Sequence, residues 1–261
     1  MSVAFASKYG PWAVIAGASE GLGAAFAKAL AARGLNLLLL ARRSEVLAEL
    51  AAQIRSSTNA TVRTEAVDLG RAGLDATLAT LTEDLDVGLA IYNAAYAPIG
   101  AVLDRPLDEL LRVVDVNVRG PLVFARTLAP KLVTRGRGGV VLMSSLAGFQ
   151  GAPRIATYAA SKAFNIVLGE SLWSELAPRG VDVLVSCAGA IRTPGYAKAA
   201  GGDAPGTLDA DVVAERTLRA LGRGPSVVPG ATNQLAHFVL GRVLPRRAAI
   251  GIMARSTKDL V

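Results

Sequence analysis

Short apolar runs of strand length alternate along the chain with longer segments whose apolar residues recur every three or four positions. Residues 12–16 (WAVIA) form such a run and end at Gly17. Residues 21–33 have helical composition, 35–41 (LNLLLLA) are apolar again, and Ser44 opens a segment with Val46, Leu47, Leu50 and Ile54 on one helical face. Residues 61–67 alternate as a half-buried strand does, and further short strands are expected at 89–92, 140–143, 181–185 and 227–228. Helices are expected between them, at about 73–84, 106–134, 157–178 and 209–222. Apolar runs alternating with helices imply parallel strands joined by right-handed crossovers. The pattern therefore predicts an α/β fold, a doubly wound parallel sheet of about seven strands with helices on both faces. No repeat or linker interrupts it, so residues 1–261 read as one domain. The stretch 194–207 (PGYAKAAGGDAPGT) is expected to be a mobile loop, of a length that is often functional.

Composition narrows the chemistry. With 52% hydrophobic and 19% charged residues the chain is not of the disordered class. The single cysteine, Cys187, excludes an internal disulfide framework and fits a reducing compartment. The single histidine, His237, excludes a zinc site built on two histidines, and its apolar surroundings suit a core or interface side chain better than a triad base. The first residues carry no basic segment followed by an apolar run, and the long uncharged stretch 87–103 is broken by Asn93, Pro98 and Gly100. A cytoplasmic protein is expected. Of the net charge of +7, most lies in residues 212–261, which hold eight Arg or Lys and two acidic residues. A basic tail on a nearly neutral body does not describe a nucleic-acid groove.

Gly17-Ala18-Ser19-Glu20-Gly21-Leu22-Gly23 lies between the first strand and the first long helix. Glycines there permit a tight turn, close approach of a pyrophosphate and close helix–sheet packing, while the helix N-terminus offers free N–H groups. The spacing is G-x-x-x-G-x-G rather than G-x-G-x-x-G. At the end of the second strand, the place where an acid would bind the ribose 2′-OH of NAD is taken by Ala41, with Arg42 and Arg43 following. Guanidinium groups there favour a 2′-phosphate, hence NADP, although Glu20 in the turn opposes it.

Tyr158 and Lys162 stand four residues apart on a predicted helix and share a face. A neighbouring cation favours phenolate, so Tyr158 is expected to have a lowered pKa and to serve as a general acid/base. Ser144-Ser145 follow the strand at 140–143, at a carboxyl end where ligands bind in parallel sheets. In the long helix from about Pro106, Pro121 removes the N–H that would bond the carbonyl of Asn117; either the helix continues with a kink that frees that oxygen for water, or Gly120-Pro121 ends one helix and starts another.

The glycine turn, Asn93-Ala94-Ala95, Asn117, Ser144-Ser145 and Tyr158-x-x-x-Lys162, taken in order over about residues 10–195, resemble the short-chain dehydrogenase/reductase family. The wording of residues 9–13 and 38–43 is most similar to the branch of 17-beta-hydroxysteroid dehydrogenases and 3-ketoacyl-CoA reductases. The resemblance implies a Rossmann-type fold and an oxidoreductase. It makes Tyr158 the proton donor to a carbonyl, Lys162 its partner and the holder of the nicotinamide ribose, and Ser145 a hydrogen-bond donor to the substrate oxygen. It has Asn117 hold a relay water, Asp68 contact the adenine, Asn93 stabilise the cofactor side, and Ile191 and Thr193 meet the carboxamide. It also implies a homodimer or homotetramer through the helices at 106–134 and 157–178. The chain departs from the family pattern at Ala16, where Thr is usual. Tyr92-Asn93-Ala94-Ala95 replaces Asn-Asn-Ala-Gly, and Ala188-Gly189 replaces Pro-Gly.

Three readings follow: an NADP(H)-dependent enzyme for an apolar ketone or alcohol, a non-catalytic NADP-binding regulator on the same fold, and an interaction protein in which the basic tail matters most. The intact set Asn117, Ser145, Tyr158 and Lys162 favours the first. Tyr96, Pro98, Leu146, Phe149, Pro153, Ile155 and Tyr196 are expected around the substrate. In the tail, Pro245 divides two short amphipathic helices. Their apolar faces either cover the substrate loop or a partner subunit, or make a weak contact with an anionic membrane surface.

Overall fold

In a computed structural model, which describes residues 2–199, 202–258 and 260, the central sheet has seven strands. They are β1 (Trp12–Ala16), β2 (Asn36–Ala41), β3 (Val62–Ala66), β4 (Val87–Tyr92), β5 (Gly138–Ser145), β6 (Val181–Ala188) and, after a separate parallel pair β7 (Ile191–Arg192) and β8 (Leu208–Asp209), β9 (Ser226–Val227). Their order is β3-β2-β1-β4-β5-β6-β9 and every neighbouring pair is parallel. The expected doubly wound sheet is present.

The continuous apolar runs arise because both faces of each central strand are covered. In β2, Leu37 and Leu39 point into one core layer and Leu38 and Leu40 into the other. The first layer is closed by α2 (Gly21–Ala31), α3 (Ser44–Ser57) and α9 (Ala210–Ala220), through Phe26, Leu47, Ile54 and Val213. The second is closed by α4 (Leu74–Leu81), α6 (Gly120–Arg135) and α7 (Ala156–Leu176), through Leu78, Phe124, Leu128 and Leu176. A fork of two hydrogen bonds from Arg33 to Glu215, 2.9 and 2.7 Å, ties α2 to α9.

Several elements escape the apolar pattern. The first residues form a helix, α1 (Ser2–Tyr9), held across the amino ends of the sheet by Tyr9 donating to Asp182 at 2.5 Å and by the Lys8–Asp182 ion pair. The segment expected as one long helix begins as α5 (Leu107–Val114) and passes through a π-turn at Asp115–Arg119 into α6. The stretch 194–207 is not bare loop. It contains α8 (Pro194–Ala199), and Arg192 pairs with Asp203 and Asp209 across it. Ala200 and Gly201 of that stretch, and Asp259 and Val261 of the tail, lie outside the described residues.

Pro245 does divide the tail. α10 (Ala231–Phe238) runs into a π-turn, and α11 (Arg246–Ser256) starts directly after the proline. The tail is moored to the segment after β5. Arg246 donates to the Phe149 carbonyl at 2.5 Å and Thr257 to that of Pro153 at 2.8 Å, while Arg154 donates back to Leu260 O at 2.7 Å. Among the described residues no helix is long and apolar enough to cross a membrane.

Candidate active site

Strand order reverses between β1 and β4, and the loops leaving their carboxyl ends diverge there. A cleft of about 1030 Å³ opens at that edge. Among the residues predicted for the site, Gly17, Ser19, Gly21, Leu22, Arg42, Arg43, Asp68, Asn93, Ser145, Tyr158, Lys162, Ile191 and Thr193 line it. Gly23 and Asn117 stand behind its wall. Gly23 is required by close approach, since a Cβ there would lie 2.0 Å from the Gly17 carbonyl. The Asn93 amide donates to that same carbonyl at 2.8 Å and fixes the turn. Among the described residues no side chain caps the first N–H groups of α2, so they face the cleft as donors.

At one end of the cleft the two arginines behave differently. Arg43 is engaged, 3.0 Å from the Glu20 carboxylate and donating to Ser19 Oγ at 3.0 Å. Among the described residues no ion pair or hydrogen bond holds Arg42. Asp68 accepts from the Gly70 N–H at 3.0 Å and pairs with Arg112 at 3.1 Å. Burial works to raise its carboxyl pKa, but that hydrogen bond and the Arg112 and Arg42 guanidinium groups outweigh it and hold the pKa below the ordinary value. Arg112 also lies over the Tyr96 ring. It was not anticipated, because nothing in the spacing of a helical arginine shows that it turns toward a strand end 44 residues earlier.

At the other end, Ser145 is the last residue of β5 and Tyr158 and Lys162 lie on α7. Ser144 Oγ donates to the Lys162 carbonyl at 2.7 Å and Lys162 Nζ donates to the Met143 carbonyl at 2.9 Å, which stitches helix to strand. Ser145 Oγ accepts from the Ala147 N–H at 3.2 Å, leaving its own hydrogen to be given away. The expected lowering of the Tyr158 pKa is corrected here. Burial raises it, and the Ser145 hydroxyl offsets only part of the rise. Lys162 stands 5.4 Å from the ring centroid with its hydrogen bond turned to Met143, and burial lowers its own pKa to about 8. Desolvation is the largest cause of both shifts.

The expectation for Pro121 also needs correction. In the π-turn the Gly120 N–H bonds Asp115 O, five residues back rather than four. The acceptor that Pro121 would serve in this register is Val116 O, not Asn117 O, and it receives the Tyr92 hydroxyl at 2.6 Å. Asn117 is fully buried. Its amide spans the backbone of Tyr96, accepting from N at 2.8 Å and donating to O at 2.9 Å, and donates to Ser161 Oγ at 3.1 Å.

Of the residues expected around a substrate, Tyr96, Leu146, Ile155 and Tyr196 line the cleft, whereas Pro98, Phe149 and Pro153 do not. Phe149 packs instead on His237, with ring centroids 4.0 Å apart. Cys187 is buried and its thiol is pushed up to about 12 by that burial. The tail supplies the missing wall through Ala236, Leu240, Ile252 and Met253. Of the alternatives for these apolar faces, the substrate loop is the one met here, since Tyr196, Ala204 and Pro205 of the 194–207 stretch line the same cleft.

The sequence profile of the short chain dehydrogenase family matches residues 11–202. The chain is 31% identical over 233 residues to a 7beta-hydroxysteroid dehydrogenase of Collinsella aerofaciens, covering 87% of this chain and 89% of that protein. It is 40% identical over 182 residues to a very-long-chain 3-oxoacyl-CoA reductase of Podospora anserina, covering 67% of this chain and 53% of that protein, so it spans about half the length of that relative. A solved structure from work on 7beta-hydroxysteroid dehydrogenase stereoselectivity superposes with a TM-score of 0.89 at 28% identity, covering 95% of this chain and 98% of the other. The chain belongs to the short-chain dehydrogenase/reductase family. It is an oxidoreductase of that family, whose fold binds a nicotinamide cofactor. The uncapped α2 terminus, the Gly23 approach and the free Arg42 all suit such a dinucleotide.

The buried lysine gives a pH signature. Between about pH 8 and its ordinary 10.5, Lys162 is protonated in the unfolded chain and has shed its proton in the folded one. The unfolded state then binds more protons, so rising pH favours folding through this window. Urea denaturation of the nucleotide-free protein should show wild type gaining roughly 1–3 kcal/mol relative to Lys162→Met across that window. Parallel pH profiles for the two proteins would contradict a depressed lysine.

Proposed function

We propose that the chain is an NADP(H)-dependent enzyme that interconverts an apolar ketone and its secondary alcohol. The observation that carries this reading is the convergence of Ser145, Tyr158 and Lys162 at the carboxyl end of β5, within a cleft whose other end holds the arginines. When bound, the nicotinamide supplies or accepts the hydride. Ser145, with its acceptor side occupied by Ala147, donates to the carbonyl oxygen and fixes it. Tyr158 is kept protonated by burial and gives its proton to the same oxygen. Lys162 lies next in line to reprotonate the phenol and holds the ribose. Asn117 sets the loop at Tyr96 and the helix at Ser161, and holds the relay water beside them. Tyr158→Phe should abolish turnover while NADPH binding, followed by fluorescence, stays within about threefold. Substantial residual activity would assign the proton to another group.

For the cofactor, Arg42 is the ligand of the 2′-phosphate, with Arg43 and Ser19 beside it. Asp68 with Arg112 forms the adenine wall, and Ile191 and Thr193 flank the nicotinamide end with Asn93 beneath. Arg42→Ala should weaken NADPH binding by about tenfold or more and leave NADH within about twofold, because a charge-assisted pair is worth roughly 1.5–3 kcal/mol. Equal losses would remove the preference for NADP.

The substrate reading rests on the arm between Tyr158 and the tail. Tyr96, Leu146, Ile155, Tyr196, Leu240 and Met253 line it, six uncharged side chains that suit a neutral, bulky ketone. The whole chain then acts as one catalytic domain, since its last helices complete the substrate wall. Two outward surfaces suit partners. Leu107, Leu111 and Val114 on α5 lie exposed, as do Val167 and Trp173 on α7, and they serve a homodimer or homotetramer. Leu235, Phe238 and Val243 lie exposed beside Arg242, Arg246 and Arg247, and they make a weak contact with an anionic membrane surface. Light scattering should give a dimer or larger, and sedimentation at low salt should carry the protein down with anionic but not neutral vesicles. A monomer would remove the first contact and a shared supernatant the second.

A further inference from the structure

We propose that Tyr92 is a positioning residue for this site, whose hydroxyl selects the helical register that turns Asn117 into it. The inference rests on the reading of Asn117 given above, but not on the identity of substrate or cofactor. Tyr92 ends β4 at the point where the family pattern has Asn, so the role belongs to this chain.

Pro121 cannot donate, so one carbonyl in the preceding turn must go without a backbone partner. Which carbonyl that is depends on register. In an α-helix it is Asn117 O, four residues back; in a π-turn it is Val116 O, five residues back. The two registers differ by a residue in the turn, and therefore in which side chains face the cleft. Left alone, the chain faces a buried orphan acceptor either way, a cost of about 1–3 kcal/mol.

Tyr92 breaks that tie. Its hydroxyl donates to Val116 O at 2.6 Å in a fully buried contact, which satisfies the acceptor orphaned by the π register alone. Burial keeps the phenol protonated and so a donor. The register is built to receive it. A Cβ on Gly120 would lie 2.1 Å from the Tyr92 oxygen, so the residue before Pro121 has room for the phenol only as glycine. On the far side of the ring, Phe124 packs edge-on with centroids 5.4 Å apart. One residue past the braced carbonyl, Asn117 makes three side-chain hydrogen bonds, to both backbone groups of Tyr96 and to Ser161 three residues after Tyr158. Thus Tyr92 acts on the site through Val116 and Asn117, without touching the reacting atoms.

The test compares Tyr92→Phe, which deletes only the hydroxyl, with Phe124→Leu, which disturbs the packing of the same ring but leaves the hydrogen bond. Asn117→Ala is the reference for loss of the clamp. Each is assayed by amide hydrogen exchange over residues 94–99, which reports the Tyr96 N–H held by Asn117, and by kcat and KM for a turned-over ketone. Thermal unfolding is followed in parallel. Tyr92→Phe should speed exchange in that segment and lower kcat by about tenfold with KM within about twofold, as loss of one buried hydrogen bond would give. Phe124→Leu should match its loss of thermal stability while leaving exchange at 94–99 and kcat near wild type. Native exchange and native kcat in Tyr92→Phe would overturn the proposal, and equal effects in Phe124→Leu would reduce the contact to packing. If Asn117→Ala turns over at the wild-type rate, the reading of Asn117 fails. Accelerated exchange in Tyr92→Phe would still establish the brace.

Discussion

All seven strands of the central sheet run the same way, and the rest of the molecule follows from that constraint. Parallel strands cannot be joined by tight hairpins, so each connection must cross back as a helix and cover a face. Both faces are thereby dry, and polar work is pushed to the strand ends. Only at the carboxyl edge do the connections diverge, between β1 and β4, and there the chain places its glycine turn, its arginines and its buried Tyr–Lys pair. The opposite edge is closed by α1 and its bonds to Asp182.

Burial sets the character of the site more than charge does. Tyr158, partly buried in the cleft wall, and Lys162, buried behind it, are both desolvated, so each is displaced toward its neutral form. A phenol held protonated beside a lysine whose pKa lies near 8 has a proton source at hand that gives up its proton more readily than an exposed ammonium would. At the exposed end of the cleft the balance is reversed. Glu20 pairs with Arg43 and Asp68 with Arg112, all of them half in solvent, and Arg42 beside them has no ion-pair or hydrogen-bond partner among the described residues.

The strands were legible because a doubly covered strand must be apolar at every position, as in residues 37–41, and because glycine marks the turn that follows β1. The ordered set from Gly17 to Lys162 placed the site on that frame. What local patterning could not supply was anything decided by distant partners. Pro121 announces an orphan carbonyl, yet the choice between Asn117 and Val116 is made by Tyr92, 24 residues away from Val116. The spacing of Tyr158 and Lys162 gives proximity but not the pull of Met143 O on the ammonium or the depth of burial that raises the phenol. Helix α1 is short and weakly patterned, and its stability comes from a contact with Asp182, 173 residues from Tyr9.

The family profile ends at residue 202, whereas Ala236, Leu240, Ile252 and Met253 come from beyond it. The glycine turn, Ser145, Tyr158 and Lys162 thus lie within the profile, and part of the wall of the same cleft lies beyond it. The tail is moored to the body chiefly through main-chain carbonyls at Phe149 and Pro153, which any residue type supplies. Such an attachment lets the roof change its side chains without a matching change beneath. The contact asks nothing of side-chain identity at Phe149 and Pro153, so the outer wall of the cleft hangs on two side chains of the tail itself, Arg246 and Thr257.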